Sequence, residues 1–497
     1  MSERTLHEII DQRKEKIKTL IADGVDPYPH NYDRSHKISE ALEAFEEIEG
    51  QTGIRMAGRL MSRRVMGKAS FANIMDGSGK LQLYVSREEI GVDTYTMFKM
   101  LDIGDFIGVS GEMMTTRTGE KTLKVHELTL LSKNIRPLPN VKEKDGQLFD
   151  GFEDKEQRYR KRYLDLIVNP EVKQTFVKRA KIYKSIRNFF DDQDYLEVET
   201  PILQPLYGGA SARPFKTHHN ALDMELFLRI ADELYLKRLI IGGFEKVFEF
   251  SRNFRNEGID RTHNPEFTAI EWYEAYVDYF YLMDQVESLF KHLASDLDQK
   301  EYEYNGHTVD LTKSFHRSTM AQLVQEHVGI DLSVADTAEL LKVCRENHID
   351  APGDSNYGQL LDALFDEKVQ PHLIEPTFVT EYPKAISPLA KTKRGGDGTF
   401  VERFELFIAG NEFANAFTEL NDPIDQRERL EAQAALRAAG DEEAQSLDED
   451  FLQAMEFGMP PTGGVGLGLD RLVMLLTGNK SIRDVLLFPQ MRPESKG

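Results

Sequence analysis

The chain has a single cysteine, Cys344, in 497 residues. That excludes a disulfide framework and suits a reducing compartment, the cytoplasm being the expected location. A lone cysteine serves as a small apolar filler, so no thiol chemistry is expected. No apolar run approaches the roughly 18 to 20 residues that cross a bilayer, and the acidic residues of the first stretch speak against a targeting peptide. Neither a membrane anchor nor a leader is expected. Histidine spacing is uninformative: His307, His316, His327, His348 and His372 lack the intervals of a metal site and read as ordinary residues. Net positive charge is also missing, at a formal −22. The protein as a whole is therefore no generic polyanion binder.

The deficit is uneven. From Ile54 to Lys133 there are 12 Lys and Arg against 9 Asp and Glu, a local excess of +3. A basic domain on an acidic body can hold a polyanion locally. The length is too great for one core and points to two or three domains. Leu6, Ile9, Ile10, Ile17, Leu20 and Ile21 form one helical stripe that stops at Gly24, and a second helical pattern runs from Ile38 to Ile48. From Ile54 the pattern changes to about five short strands with glycine turns, including a hairpin at Asp76-Gly-Ser-Gly79. Five such strands suggest an OB-type barrel, which stacks single-stranded bases on exposed aromatics in a basic groove. Arg63, Arg64, Phe71, Gln82 and Glu112 are its candidate contacts, with Phe71 either a stacking group or part of the barrel core.

The most function-rich stretch is Phe248 to Tyr273. At a period of two, Phe248, Phe250 and Phe254 fall on one face and Glu249, Ser251, Asn253, Arg255 and Glu257 on the other. A turn-forming tract from Gly258 to Pro265 reverses the chain, and the return strand sets Phe267, Glu271 and Tyr273 on one face. Such a pair offers Arg255 to a phosphate, Phe267 to a flat heterocycle and Glu271 to a cation. Downstream, Gly464-Val-Gly466-Leu-Gly468-Leu-Asp470-Arg471 runs into an apolar helix-like segment, Leu472 to Leu476. Its spacing is not the dinucleotide fingerprint. Glycines at alternate positions allow close approach, and Arg471 just inside a helix can meet an anion. Glu405 and Glu412 flank a turn; if Gly410 and Asn411 form it, Ala409 opposes Glu412 and the two carboxylates share a face. Two hard oxygen donors suit magnesium on a polyphosphate, though paired surface glutamates are equally at home in water.

Phe254-Arg255-Asn256-Glu257 with His263-Asn-Pro-Glu-Phe267, followed by the glycine-spaced Arg471, resembles motifs 2 and 3 of the class II aminoacyl-tRNA synthetases, most closely the lysyl branch of the bacterial type. The segment from Glu171 to Pro201, a helix followed by Tyr195-Leu-Glu-Val-Glu-Thr-Pro201, is similar to motif 1, the dimer element, with Asp194 where the family usually has glycine. The resemblance covers nearly the whole chain from about residue 54 and implies a homodimer. It implies ATP held by Arg255, Glu257, His263, Phe267 and Arg471, with Arg255 and Arg471 catalytic, and magnesium at Glu405 and Glu412. It implies L-lysine held by Gly209, Glu233, Glu271, Tyr273, Asn415, Phe417 and Glu419, and a barrel reading the anticodon of tRNA(Lys). Asn415, Phe417 and Glu419 should face away from Glu412 by simple alternation, so both sets reach one site only across a bulge or bend.

The fold class expected is α+β, an antiparallel class II synthetase sheet flanked by helices and preceded by an all-β OB-fold barrel. The boundaries are a helical lead-in over 1–53, the barrel over 54–140, a linker over 141–170 and the catalytic domain over 171–497. Helix is expected directly after Glu274, and further helices with a Pro352-Gly353 break form a buttress between Asp310 and Gln370. The activity implied is formation of lysyl-adenylate and transfer of lysine to the 3′ end of tRNA(Lys). Glutamates at 271 and 419 would repel an acidic substrate, which sets an aspartyl or asparaginyl relative second. A catalytically silent RNA-binding module would have lost Arg255, Glu405, Glu412 and Arg471, and a ligase acting on a protein lysine would lack the barrel.

Overall fold

The computed structural model describes residues 5–139, 141–144, 147–150, 152–332, 334–350, 355–438 and 444–494, in two compact units, Met1–Glu153 and Asp154–Gly497. The Pro352-Gly353 break lies outside the described residues.

The first unit is built on a closed five-stranded barrel. Its strands are Ile54–Met66, Ala69–Met75, Lys80–Ser86, Phe106–Thr115 and Lys121–Ser132, with the fifth lying between the third and fourth and the first closing the ring. Alternation decides what goes inside: Met56, Leu60, Ala72, Ile74, Leu83, Val109 and Val125 fill the interior. The expected hairpin forms because the Asp76 carboxylate accepts from the N–H groups of Ser78 and Gly79. The expected 38–48 helix is two short ones, Ile38–Glu43 and Phe45–Ile48, meeting at Ala44. The first helix, Leu6–Ala22, buries Ile10, Arg13 and Leu20, whereas Leu6 and Ile21 of the apolar stripe are exposed. Charge turns it away from its stripe: Lys16 donates to Asp102 at 2.7 Å, and Arg13 reaches the side chain of Asn134.

The second unit centres on an eight-stranded sheet, in the order His316–Thr319, Thr377–Thr380, Arg403–Ile408, Asn411–Thr418, Thr462–Gly468, Glu266–Ala275, Lys246–Phe254 and Leu196–Glu197. Only the two outermost pairings are parallel. The helices Pro170–Asp191, Tyr279–Asp296 and Leu469–Thr477 contribute Ile186, Phe190, Val286, Leu289, Leu472 and Leu475 to a core around Trp272. Trp272 spends its one donor on Gln285 at 2.7 Å, which fixes the second helix against the sheet. Asp194 takes a left-handed φ of 61°, the geometry a glycine would supply.

Three expectations need correction. The strand runs on to Ala275, and helix begins only at Tyr279, where the Asp278 carboxylate accepts from the N–H groups of Phe280 and Tyr281; the helix is followed by a small hairpin, Glu301–Tyr304 with His307–Asp310. The 141–170 segment is not a plain linker: it holds the strand pair Val141–Lys144 and Gln147–Asp150, then helices Lys155–Arg160 and Arg162–Val168. In the second of these helices Arg162 is structural: it is buried and binds Asp165 at 2.5 Å and the carbonyls of Arg483 and Leu486. The turn at residue 410 is made by Ala409 and Gly410, both at positive φ, so Ile408 opposes Asn411 and Phe407 opposes Glu412. Cys344 is buried in the separate apolar cluster of the 320–368 helices. Among the described residues no helix is long and apolar enough to cross a membrane, and no group of three His, Cys, Asp or Glu could hold a metal.

In the barrel, a β-carbon at Gly111 would sit 2.0 Å from the Lys124 carbonyl oxygen, at a register shift where backbone meets backbone. Gly111→Ala should lower the stability of the barrel by roughly 1–3 kcal/mol or more, read as a shift in its denaturant midpoint while the catalytic unit's transition stays put. An unshifted barrel midpoint would contradict the packing described.

Candidate functional site

One cavity of about 390 Å³ opens over the central strands of the second unit, and it gathers every catalytic and small-ligand residue expected from the sequence except Glu419, which lies buried at its inner end. The antiparallel pair Lys246–Phe254 and Glu266–Ala275 forms its floor, with Asn253 opposite Phe267 and Glu249 opposite Glu271. Period-two alternation then carries Asn253, Arg255 and Glu257 to the cavity side, facing Phe267, Glu271 and Tyr273 from the return strand. The Arg255 guanidinium lies 5.1 Å from the Phe267 ring, and its Nε has no hydrogen-bond partner. Burial draws its pKa down, against the pull of Glu257, Glu412 and Glu271. It is a cation waiting for an anion.

The connecting loop is locked by its own side chains. Asp260 accepts from the N–H groups of Thr262 and His263 and pairs with His263 Nδ1 at 2.8 Å. Partial burial works against this carboxylate, yet these bonds hold its pKa down to about 2. The arrangement leaves His263 Nε2 to accept from Arg471 Nη2 at 3.0 Å. Arg471 enters from the helix Leu469–Thr477 and also donates to the Glu412 carbonyl at 2.9 Å and carboxylate at 3.2 Å. The sequence had left the distant His263 and Arg471 to be joined by resemblance; here they touch.

The strand Asn411–Thr418 carries a bulge. Phe407 pairs with Glu412 but Leu406 pairs with Ala414, so Phe413 is the extra residue. This is the bend that alternation demanded, and it brings Glu412 on one side and Asn415 and Phe417 on the other to the same cavity. Glu405 accepts from Tyr382 at 2.9 Å and from Arg403 at 2.5 Å. Burial first, and then Glu412, push its pKa up to about 7 despite Arg403. Arg403 also donates to Asn415 at 3.0 Å, fixing that amide's orientation.

The inner end of the cavity is a cage of carboxylates. Glu233 and Glu271 are buried, Glu419 completely so, and Tyr273 donates to Glu271 at 3.2 Å. Gly209, at a φ of 84°, lies against Glu233, where a β-carbon would come within 3.1 Å of the Glu233 side chain. Gly464 is required on space alone, since a β-carbon there would fall 2.1 Å from Glu419 and 2.3 Å from the Tyr273 ring. Two members of the cage escaped the sequence reading. Lys237, wholly buried, forms ion pairs with both Glu233 and Glu419. Its spacing of four from Glu233 on one helix was a legible signal. Asp232, adjacent to Glu233, is equally buried. Burial dominates the electrostatics here: it raises the pKa of Asp232 to about 6 and that of Glu271 well above the ordinary range, the latter also through Asp232, and it pushes Glu419 up against the pull of the paired Lys237 ammonium.

The barrel of the first unit presents a second surface. Cross-strand register lines up Arg64, Phe71, Tyr84, Lys124 and Glu112 in one row, with Gln82 one step along beside Asn73. Phe71 alternates with buried Ser70 and Ala72 and rests on Tyr84, ring centroids 5.4 Å apart, so it belongs to the outer face and not to the core. Tyr84 was missed, although it shares the parity of Gln82. Arg63 is not in the row: it pairs opposite Ala72, donates to the Phe98 carbonyl at 2.6 Å and faces the Phe98 ring of the helix Val92–Met100.

Two family models match the chain. One describes tRNA synthetases class II (D, K and N) and spans residues 154–492; the other describes the OB-fold nucleic acid binding domain and spans 54–131. The chain is 51% identical over 492 residues to a lysine–tRNA ligase of Porphyromonas gingivalis strain W83, covering 97% of this chain and 85% of that protein. It is 50% identical over 496 residues to that of Carboxydothermus hydrogenoformans, covering 99% and 100%, and 50% identical over 492 residues to that of Moorella thermoacetica, covering 99% of each.

The cage has a measurable consequence without any ligand. Asp232 and Glu271 hold a proton in the folded state at pH values where their unfolded counterparts, near 4, have lost it. The folded state therefore binds more protons above about pH 4.5, and stability falls as pH rises through that window. Carboxylates held down, such as Asp260, are fully ionised below it. The melting temperature of the free protein should drop between pH 5.5 and 8.5; a flat or rising trend would remove the cage's raised titrations.

Proposed function

The chain belongs to the class II tRNA synthetases of the D, K and N group, with an OB-fold nucleic-acid-binding domain ahead of the catalytic unit, and we infer that it activates L-lysine with ATP and transfers it to the 3′ end of tRNA(Lys). The observation that carries the amino-acid choice is the cage: Glu271 and Glu419 with the Tyr273 hydroxyl, closed below by Gly464 and open above towards Arg255. Such an end to a cavity attracts an ammonium and repels a carboxylate, which sets aside aspartate.

In the first step the carboxylate of lysine attacks the α-phosphorus of ATP and pyrophosphate departs. Arg255, held over Phe267 and with its Nε unengaged, bridges the α-phosphate and the attacking carboxylate and so fixes the line of attack. His263 and Arg471 hold the outer phosphates from the opposite wall, while Phe267 and Glu257 receive the adenine. Gly209 and Glu233 take the α-ammonium; Asn415 and Phe417 line the passage between the two ends. Glu405 and Glu412 would hold magnesium. Glu405 and Glu412 line the same cavity and offer the hard carboxylate oxygens that such an ion takes. Such an ion supplies neutralisation of phosphate charge. No protein nucleophile is required, and Cys344 lies in another core.

On the barrel, Phe71 and Tyr84 supply stacking surface, Gln82 a base-edge partner, and Arg64 and Glu112 polar flanks for the anticodon. Arg63 would act by holding the helix Val92–Met100 to the barrel. The motif 1 helix Pro170–Asp191 leads into exposed Leu196, Ile202, Leu203 and Leu206, an apolar edge suited to a two-fold homodimer.

Exchange of labelled pyrophosphate into ATP, run with each of the twenty amino acids, should proceed with lysine alone; exchange with aspartate or asparagine would overturn the reading of the cage. Glu271→Gln should raise the KM for lysine by about two to three powers of ten, the cost of breaking a buried ion pair, with an unchanged KM excluding Glu271 from the pocket. Phe71→Ala should weaken aminoacylation of tRNA(Lys) through KM for tRNA and leave lysine-dependent exchange intact. Equal loss of both would place Phe71 in the fold's support instead.

A further inference from the structure

Asp232 heads the helix Glu233–Ile241, yet its carboxylate makes no capping bond to that helix. It is wholly buried, and no hydrogen bond of proper geometry reaches either oxygen. A buried carboxylate that caps no helix and has the Ser251 hydroxyl and another carboxyl, Glu271, as its neighbours needs another account. The groups facing it come from three directions. Glu271 approaches from the strand Glu266–Ala275, Glu249 and Ser251 from the strand Lys246–Phe254, and Arg229 from the segment before the helix. Arg229 is already committed to Glu249 at 2.6 Å and to the Arg252 carbonyl at 2.9 Å. Lys237, the one cation of the cage, is committed to Glu233 and Glu419. Asp232 and Glu271 are thus two neighbouring carboxyl groups, and among the described residues no cation pairs with Asp232. Two buried carboxylates in contact do not both ionise; they share a proton.

We propose that Asp232 is a positioning residue of the amino-acid pocket, sharing one proton with Glu271, and that the side-chain ammonium of lysine enters by displacing that proton to solvent. The inference rests on the lysine reading of the cage given above. Charge balances on both sides of the step: a positive ammonium arrives and a proton leaves, so the pair carries one net negative charge before binding and two, offset by the ammonium, after it. An empty pocket holding the proton carries less uncompensated charge than three bare carboxylates would. A neutral side chain of the same length cannot displace a proton and leaves the pair as it was. Asp232 therefore adds selectivity for a cation at the point where Glu271 meets it, acting through Glu271 without touching the substrate.

The test is lysine-dependent pyrophosphate exchange between pH 6 and 8.5, for the wild type and Asp232→Asn. In the wild type the KM for lysine should rise as pH falls, approaching about tenfold per pH unit below the titration of the pair, while kcat changes little. Asparagine cannot share the proton and donates its amide to an ionised Glu271, so the rise should move to lower pH, and the variant's KM should change by less than about threefold between pH 6 and 8. Superimposable profiles would overturn the proposal. Calorimetry of lysine binding to the wild type in buffers of different ionisation enthalpy reads the same step directly and needs no variant. More protons should be released per lysine at pH 6 than at pH 8.5, and binding at pH 6 without release would overturn it. A wild type that exchanges with lysine at a pH-independent KM removes the role of Asp232 alone. A wild type with no lysine-dependent exchange removes the pocket reading and this inference with it.

Discussion

The catalytic unit depends on one electrostatic constraint: several carboxylates must be kept together inside a dry sheet. Burying ionised groups costs several kcal/mol each unless they are paired or protonated. The fold answers with Lys237 paired to Glu233 and Glu419, and a proton shared by Asp232 and Glu271, as proposed, would relieve the rest. The remaining architecture serves this arrangement. Gly464 leaves room for the Glu419 carboxylate, the Tyr273 hydroxyl steadies Glu271, and Arg229 removes Glu249, on the same face of the sheet, from the competition by pairing with it. The strong field left at the open end is what a doubly cationic amino acid answers.

The other end of the cavity is organised by the opposite sign. Arg255 and Arg471 are held by different partners: Arg255 lies over an aromatic face with Nε unengaged, and Arg471 is tied to His263 and Glu412. Cationic and anionic ends within one cavity orient a zwitterionic substrate without any moving part. Asp260 contributes from the loop by fixing the imidazole so that its second nitrogen accepts from Arg471.

Much of this was legible in the sequence, and the exceptions have physical causes. The hairpin face of Arg255, Phe267, Glu271 and Tyr273 followed from a period of two, which no tertiary contact alters. The barrel followed from strand length and the Asp76 turn. The turn at Ala409-Gly410 was misplaced by one residue because both neighbouring pairs of residues tolerate positive φ, and only cross-strand register distinguishes them. Lys237 was passed over because a lysine at helical spacing from a glutamate ordinarily lies in water; its burial is a property of the sheet that covers it. The charged tract before residue 170 looked like a linker for the same reason: composition does not say that Arg162 will find Asp165 and two carbonyl groups in the interior. Asp232 carried no signal at all, since its meaning comes from a strand nearly forty residues away.

The single unpaired residue Phe413 divides its strand into two territories. On the turn side lies Glu412, beside Arg471; past the bulge lie Asn415, Phe417 and then Glu419, towards the inner cage. Because the bulge resets parity, the second territory can change its side chains without rotating the first out of place. One strand thus works as a junction between a reaction common to every amino acid and a pocket particular to one. Side chains beyond Phe413 can therefore change, together with Glu271 and Tyr273 across the sheet, without disturbing the register that holds Glu412.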